Sequence, residues 1–166
     1  MSLKKGDLFV PSILNDVQIL VVDNDRDSRT LYAALFESYG VAVTATESVK
    51  EALDLLNRFM PDILICETRF LGESVYPLIQ QIRYIAQNSY KVIPIFAIST
   101  FPTISLAEHL KVGVEAYQIK PIDLNQFVNE VCSLLLLSKI TQPLSVRDWL
   151  SKISIDKTPY YCARVG

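Results

Sequence analysis

The chain has 166 residues, half of them hydrophobic and a fifth of them charged, with a formal net charge of -2 at pH 7. This length fits one domain with an appendage, and the composition argues against disorder over most of the chain. The charge provides no electrostatic basis for binding nucleic acid, and no apolar run is long enough for a transmembrane helix. The three cysteines are scattered and there is one histidine, which indicates a reduced, cytoplasmic protein without a zinc site.

Residues 1–16 are predicted to form a leader, because Pro11 breaks any regular element there. A domain at residues 17–140 follows, in which short apolar strands alternate with amphipathic helices. The predicted strands are residues 18–22, 41–45, 63–66, 94–98 and 116–119. The predicted helices begin near residues 27, 48, 75, 105 and 123 and end near residues 39, 60, 87, 113 and 140.

Three of these helices open with a capping box, in which a serine or aspartate is followed three residues later by glutamate or glutamine. The boxes begin at Ser48, Ser105 and Asp123. Alternation of strand and helix requires right-handed crossovers between parallel strands, which predicts an α/β fold with a doubly wound five-stranded parallel sheet in a three-layer sandwich. In such a sheet, ligand chemistry lies at the carboxyl ends of the central strands.

Polar residues follow four of the five predicted strands at that edge of the sheet. In chain order they are Asp23-Asn24-Asp25, Glu67, Ser99-Thr100 and Lys120-Pro121. A purely structural interpretation does not explain this coincidence. We expect the third strand to deliver the Glu67 carboxylate into solvent at its end, where the other three segments meet it.

The motifs, in this order and spacing, resemble the receiver domain of two-component response regulators over about residues 17–140. The resemblance implies a flavodoxin-like (CheY-like) fold with strand order 2-1-3-4-5 and a cis or strained link between Lys120 and Pro121. In that family, an aspartate after the third strand takes a phosphoryl group from a histidine kinase, and an acidic pair after the first strand binds magnesium. A hydroxyl after the fourth strand contacts the phosphoryl group, and a lysine after the fifth strand pairs with it. The resemblance assigns these roles to Glu67, to Asp23 with Asn24, to Ser99 and to Lys120, and it places Tyr117 at the aromatic switch position.

Two departures from the family pattern bear on function. Glu67 stands where the family has the phosphoacceptor aspartate, and its extra methylene moves the carboxylate by about one carbon–carbon bond, too far for a site that needs near-attack placement. Asn24 replaces an acid that should touch the metal directly, although Asp25 could supply a charge. Magnesium prefers charged oxygens in near-octahedral geometry, so we expect no cofactor, and at most weak magnesium binding by Asp23 and Glu67.

A guanidinium group, that of Arg69 or Arg26, is inferred to take over part of the metal's electrostatic role, because unneutralised carboxylates at Asp23 and Glu67 would repel each other. A Glu67 side chain that reached Lys120 or Ser99 would also mimic a phosphorylated aspartate and hold the pocket near its active state. A merely degenerate pocket is the alternative interpretation of the same residues.

Leucine occupies four consecutive positions in the last predicted helix, residues 134–137, so more than one of its faces should be covered. The cover could be the C-terminal extension, residues 141–166, which is predicted to be partly helical, or another protomer, or a partner protein. The extension is too short for a DNA-binding output domain, and its few basic residues do not support a helix-turn-helix module.

The sequence therefore predicts a non-enzymatic, atypical single-domain response regulator, or pseudo-receiver, in phosphorelay signal transduction. It would contact a histidine kinase or a downstream signalling protein through the fourth predicted helix, the fifth strand, the last helix and the extension, and it could form a homodimer. One alternative is a conventional, magnesium-dependent phosphorylated response regulator. The other is a small flavodoxin-like ligand-binding protein, against which the acidic loop at residues 23–25 argues, since it would repel a phosphate.

Overall fold

In the computed structural model of the chain, residues 12–100 and 113–141 are described. Within these residues the strands are β1 Gln18–Val22, β2 Ala42–Thr46, β3 Ile63–Glu67, β4 Ile95–Ser99 and β5 Ala116–Ile119. The α-helices of the same ranges are α1 Arg26–Glu37, α2 Val49–Leu56, α3 Tyr76–Ser89 and α4 Leu124–Ile140, and a 3-10 turn spans Ser12–Leu14. The helix predicted to begin at Ser105 lies outside the described residues, as do residues 142–166 of the predicted extension.

The five strands form one sheet in the order β2-β1-β3-β4-β5, and neighbouring strands are parallel throughout. This confirms the predicted doubly wound fold. Strands β3 and β4 are buried along their whole length, because parallel strands in the middle of such a sheet are covered on both faces. The register pairs Cys66 with both Val22 and Ala97, so the carboxyl ends of β1, β3 and β4 lie side by side.

The sheet separates two apolar clusters, which makes the fold a three-layer sandwich. One cluster joins the sheet to α1 and α4, and the other joins it to α2 and α3. At the centre of the first, the ring of Phe127 meets three aromatic rings edge to face. The centroid distances are 5.4 Å to Tyr32, 5.4 Å to Phe36 and 5.0 Å to Phe96. These contacts hold α4 against α1 and the sheet.

The helix starts confirm part of the predicted capping. Ser48 and Asp123 each accept a hydrogen bond from the backbone N–H three residues later, as N-cap residues do. The reciprocal half of the capping box is not formed, because the Glu51 carboxylate accepts from the Glu47 N–H at 3.3 Å and the Gln126 amide donates to Glu130. None of the helices in the described part of the chain is long and apolar enough to cross a membrane.

The predicted end of the second helix is wrong. Helix α2 ends at Leu56 rather than near residue 60, because the Arg58 N–H closes a tighter turn on the Leu55 carbonyl at 2.8 Å. Leu14, within the predicted leader, is fully buried in the first apolar cluster. The Lys139 ammonium of α4 also donates to the Ile13 carbonyl at 3.3 Å, so the described end of the predicted leader contacts the domain.

Candidate functional site

The carboxyl ends of β1, β3 and β5 bring Asp23, Glu67 and Lys120 into contact. The side chains of Asp23 and Glu67 are only 1% and 3% exposed. Lys120 Nζ lies 2.9 Å from Asp23 Oδ2 and 3.3 Å from Glu67 Oε2. One ammonium group therefore lies between two buried carboxylates and pairs with both of them. The peptide bond between Lys120 and Pro121 is cis, as the resemblance implies.

The prediction that Glu67 projects into solvent is wrong. Its carboxylate is buried beside the loop that follows β3. There, Oε1 accepts hydrogen bonds from the backbone N–H groups of Thr68 at 2.7 Å and Arg69 at 3.1 Å. The other oxygen, Oε2, faces Lys120. Burying a carboxylate is costly unless it is paired and hydrogen-bonded, and this conformation gives both oxygens a partner.

Asp23 is held by the loop that follows it as well as by Lys120. Its Oδ1 accepts from the Asp25 N–H at 2.8 Å, and its backbone carbonyl accepts from Arg29 Nη1 at 2.7 Å. Asn24, between the two aspartates, is exposed at the rim of an open cleft. The loop therefore turns the first acid inward and leaves the amide outside.

Asp25 is the N-cap of α1, and its side chain bonds to the first turn of that helix rather than to Lys120. Its side chain accepts from the backbone N–H groups of Asp27 at 3.4 Å and Ser28 at 3.2 Å, and from the Ser28 hydroxyl at 2.6 Å. The Ser28 hydroxyl is the main reason that the pKa of Asp25 lies below its ordinary value. Stabilising the charged form by hydrogen bonds has this effect on any carboxyl group.

Lys120 has a third partner, since its Nζ also lies 3.0 Å from Ser28 Oγ. Burial alone would lower the pKa of the Lys120 ammonium, but the hydrogen bond to Asp23 and the nearby negative charges outweigh burial, and the pKa is raised. Tyr32, one turn after Ser28, is 2% exposed, and burial raises the pKa of its hydroxyl against the opposing charge of Lys120.

The remaining predicted residues lie around this cluster. Ser99 is fully buried at the end of β4, and its carbonyl accepts the Lys120 N–H at 2.8 Å. Tyr117 is half-buried in β5, where it pairs with Ala97. Arg69 lines the cleft and supplies a backbone N–H to Glu67. Arg26 is exposed at the start of α1 and makes no ion pair with either buried carboxylate within the described residues.

Sequence reasoning missed Ser28 and Arg29 as parts of the site. Both lie in the first turn of α1, three and four residues after its N-cap, so they follow the strand end that carries Asp23. That position is the signal that could have identified them, because a helix that starts at the carboxyl edge of the sheet directs its first turn toward the same site. The arginine that α1 contributes to the surroundings of Asp23 is Arg29, which donates to the Asp23 carbonyl and lies 3.5 Å from the exposed carboxylate of Glu47.

The arrangement does not fit a magnesium ion well. Within the described ranges, no group of three or more His, Cys, Asp or Glu side chains is placed so that it could hold a metal ion. Asp23 and Glu67 already direct their oxygens at Lys120 and at backbone N–H groups. Magnesium requires near-octahedral oxygen ligation at short distances, which this donor set would offer only after Lys120 had moved.

Residues 19–132 match the response regulator receiver domain family, and the chain belongs to that family. Among curated proteins it is 30% identical over 139 residues to the Regulator of RpoS of Escherichia coli strain K12, a match that covers 80% of this chain and 40% of that protein. It is 30% identical over 123 residues to an uncharacterized 14.6 kDa protein of Leptolyngbya boryana, covering 72% of this chain and 92% of that protein. The chain thus spans less than half the length of the Regulator of RpoS.

A solved receiver structure shows the same fold. The signal receiver domain of a putative Luxo repressor protein from Vibrio parahaemolyticus aligns with a TM-score of 0.65 at 19% identity, over 75% of this chain and 94% of that one. The fold, the strand order and the family match make this chain a receiver domain of two-component signalling, a class of domains that signal and are generally not enzymes.

Proposed function

We propose that this receiver domain is a pseudo-receiver, in which the Glu67 carboxylate takes the place that a phosphorylated aspartate has in the family. One observation carries the proposal. Glu67 Oε1 accepts two backbone N–H groups of the loop that follows it, while Oε2 contacts the Lys120 ammonium group at 3.3 Å. The side chain thus engages the lysine that the family uses for the phosphoryl group.

The same contacts support a pocket that works without magnesium. Asp23 and Glu67 together carry two negative charges, and Lys120 supplies a positive charge within 3.3 Å of each. In a buried site, opposite charges at such distances attract strongly, because little water screens them. The proposal is that the Lys120 ammonium group supplies part of the positive charge that the metal ion supplies in the family.

The pocket is connected to a surface that a partner could contact. Lys120 directly follows β5, and its N–H bonds to the Ser99 carbonyl at 2.8 Å, so the position of Lys120 fixes the end of both strands. Tyr117 and Ile119 lie on β5, and Ile119 is 41% exposed. The proposed partner is a histidine kinase or a downstream signalling protein that binds β5 and α4. The adjoining predicted helix at residues 105–113 lies largely outside the described residues.

Replacing Glu67 with glutamine tests whether this side chain sets the state of the surface. Glutamine keeps the length of the side chain and can still accept from the Thr68 and Arg69 N–H groups, but its neutral amide removes the ion pair with Lys120. We expect backbone amide NMR signals of Ser99, Tyr117 and Lys120 to shift and broaden in Glu67→Gln.

Glu47→Gln is the matched control, because it removes an exposed carboxylate that pairs with Arg29 at 3.5 Å. It should leave the signals of β5 unchanged, as exposed ion pairs contribute little. Shifts in Glu67→Gln that stop at the neighbours of residue 67 would contradict the proposal, since the carboxylate would then have no influence on the output surface.

A further inference from the structure

We propose that Ser28 is a positioning residue that fixes the Lys120 ammonium group between Asp23 and Glu67, and that Asp25 acts on the pocket through the Ser28 hydroxyl. The inference deepens the proposed function and rests on it in one respect, the importance of Lys120 as the cation of the pocket. The resemblance to the receiver family assigns no role to a hydroxyl group at this position of the first helix.

Two hydrogen bonds and one ion pair hold the Lys120 ammonium group. An ammonium group has three N–H donors and no acceptor. Three oxygens surround it, with Asp23 Oδ2 at 2.9 Å, Ser28 Oγ at 3.0 Å and Glu67 Oε2 at 3.3 Å. Two of these oxygens are charged and come from the sheet, whereas the third is neutral and comes from α1. Ser28 therefore completes the ligation of the ammonium group.

The direction of each hydrogen bond at Ser28 follows from the chemistry of its neighbours. Since Lys120 can only donate, the serine oxygen accepts from it, and the single hydroxyl proton is left for another acceptor. That acceptor is Asp25 Oδ2, at 2.6 Å. A hydroxyl that donates to a carboxylate is a better acceptor for a cation, because hydrogen bonds in a chain polarise one another. Asp25 thus strengthens the hold on Lys120 without touching it.

The helix that carries Ser28 is fixed in its rotation. Tyr32, four residues later on the same face of α1, is 2% exposed, and its ring meets Phe127 edge to face at 5.4 Å. Phe36, a further turn on, meets Phe127 in the same way. Packed aromatic pairs of this kind keep α1 from turning about its axis, so the Ser28 oxygen stays at a set distance from Lys120.

The contact with Ser28 keeps the Lys120 ammonium group paired with the carboxylates of Asp23 and Glu67. Without the Ser28 oxygen, one N–H of the Lys120 ammonium group would donate to water in the cleft instead. Lys120 and Glu67 both line that cleft. A lysine free to turn toward the cleft would be available to a bound anion, and it would leave room for a divalent cation between Asp23 and Glu67. Ser28 therefore favours the closed pocket, in which Lys120 pairs with Asp23 and Glu67.

The test uses the full chain and the side-chain NMR signal of the Lys120 ammonium group, whose hydrogen exchange with water reports its ligation. Ser28→Ala removes the hydroxyl but keeps the Ser28 backbone N–H that Asp25 caps. Ser28→Thr keeps a hydroxyl, and Ser28→Cys keeps the volume but is a weak acceptor. Ser38→Ala is the control, since Ser38 is the C-cap of α1, at the opposite end of the helix from Ser28, and its hydroxyl donates to the Leu35 carbonyl.

We expect the Lys120 ammonium protons to exchange at least about tenfold faster in Ser28→Ala and Ser28→Cys, the factor expected from losing one charge-assisted hydrogen bond. Ser28→Thr and Ser38→Ala should stay near the native rate. An unchanged rate in Ser28→Ala, or a native ammonium signal lost to fast exchange, would overturn the role of Ser28, because an ammonium group held by two hydrogen bonds and an ion pair must be protected.

Adding magnesium and beryllofluoride to the same samples separates this inference from the proposed function. A native chain that binds both, while its Lys120 exchange still depends on Ser28, would refute the pseudo-receiver and leave the positioning role intact. A native chain that binds neither, with Lys120 exchange independent of Ser28, would refute only the positioning role.

Discussion

Replacing Lys120 with methionine tests whether one ammonium group holds the buried acids together. Methionine matches the length and apolar volume of the lysine stem but carries no charge. The substitution leaves Asp23 and Glu67, which are 1% and 3% exposed, without their shared cation. We expect the folded state to lose stability mainly because two like charges remain buried and uncompensated.

The magnitude follows from the distances. At an effective dielectric constant of about 20, opposite unit charges attract by about 6 kcal/mol at 2.9 Å and about 5 kcal/mol at 3.3 Å. The net effect is smaller, because the ion pair also costs desolvation energy that the variant no longer incurs at the lysine. Removing one partner of a buried pair costs about 3–5 kcal/mol, and we expect a decrease of that size in the free energy of unfolding.

Urea denaturation of Lys120→Met and Lys91→Met measures the effect against a matched control. Lys91 Nζ lies 2.6 Å from Asp62 Oδ1, closer than Lys120 lies to either acid, but the two side chains are 23% and 27% exposed. Water screens such a pair, so Lys91→Met should cost no more than about 1 kcal/mol. Adding Glu67→Gln to Lys120→Met should restore part of the loss. Equal losses in the two lysine variants would refute the reasoning, because burial would then have no influence.

Three further results are expected. Asp25→Ala should cost about 1 kcal/mol at neutral pH through the lost N-cap. Because the pKa of Asp25 is lowered from its ordinary 3.8, its charge stabilises the fold above that value and ceases to do so as the pH falls through the lowered pKa, so the deficit in urea denaturation should shrink there. Phe127→Ala should cost about 3–5 kcal/mol in the same assay, since three rings pack on Phe127. Burial raises the pKa of the Cys66 thiol to about 12, so alkylation followed by mass spectrometry should find it modified only as fast as the protein unfolds, and later than the half-buried Cys132.

The fold could be predicted from sequence because its signals are local and repeated. The apolar runs in the middle of the sheet and the turn residues between elements define the strands, and the predicted bounds of β5 are the ones that the structure has. The end of α2 could not be predicted in this way. Phe59 packs on the second apolar cluster although it lies beyond the last helical residue, Leu56, so its burial continues the helical spacing without the helical hydrogen bonds.

The site could be predicted only as far as the backbone determines it. Parallel strands bring their carboxyl ends to one edge, and this is enough to place Asp23, Glu67 and Lys120 together. The direction of the Glu67 side chain depends on its torsion angles and on the hydrogen-bond donors near it. The spacing of residues in the sequence predicts neither of these. The choice of Ser28 as a partner of Lys120 depends in turn on how α1 is rotated against Phe127, a property of tertiary packing.

Titrating the native chain with magnesium and then with beryllofluoride, followed by backbone amide NMR, tests the central claim most directly. The control is the double variant Glu67→Asp with Asn24→Asp, which restores the acidic groups of the family pattern. We predict that the native spectrum stays unchanged while the double variant responds at Ser99, Tyr117 and Lys120. A native chain that responds at those residues with millimolar or tighter metal affinity would contradict the account, because its pocket would still be a working phosphorylation site.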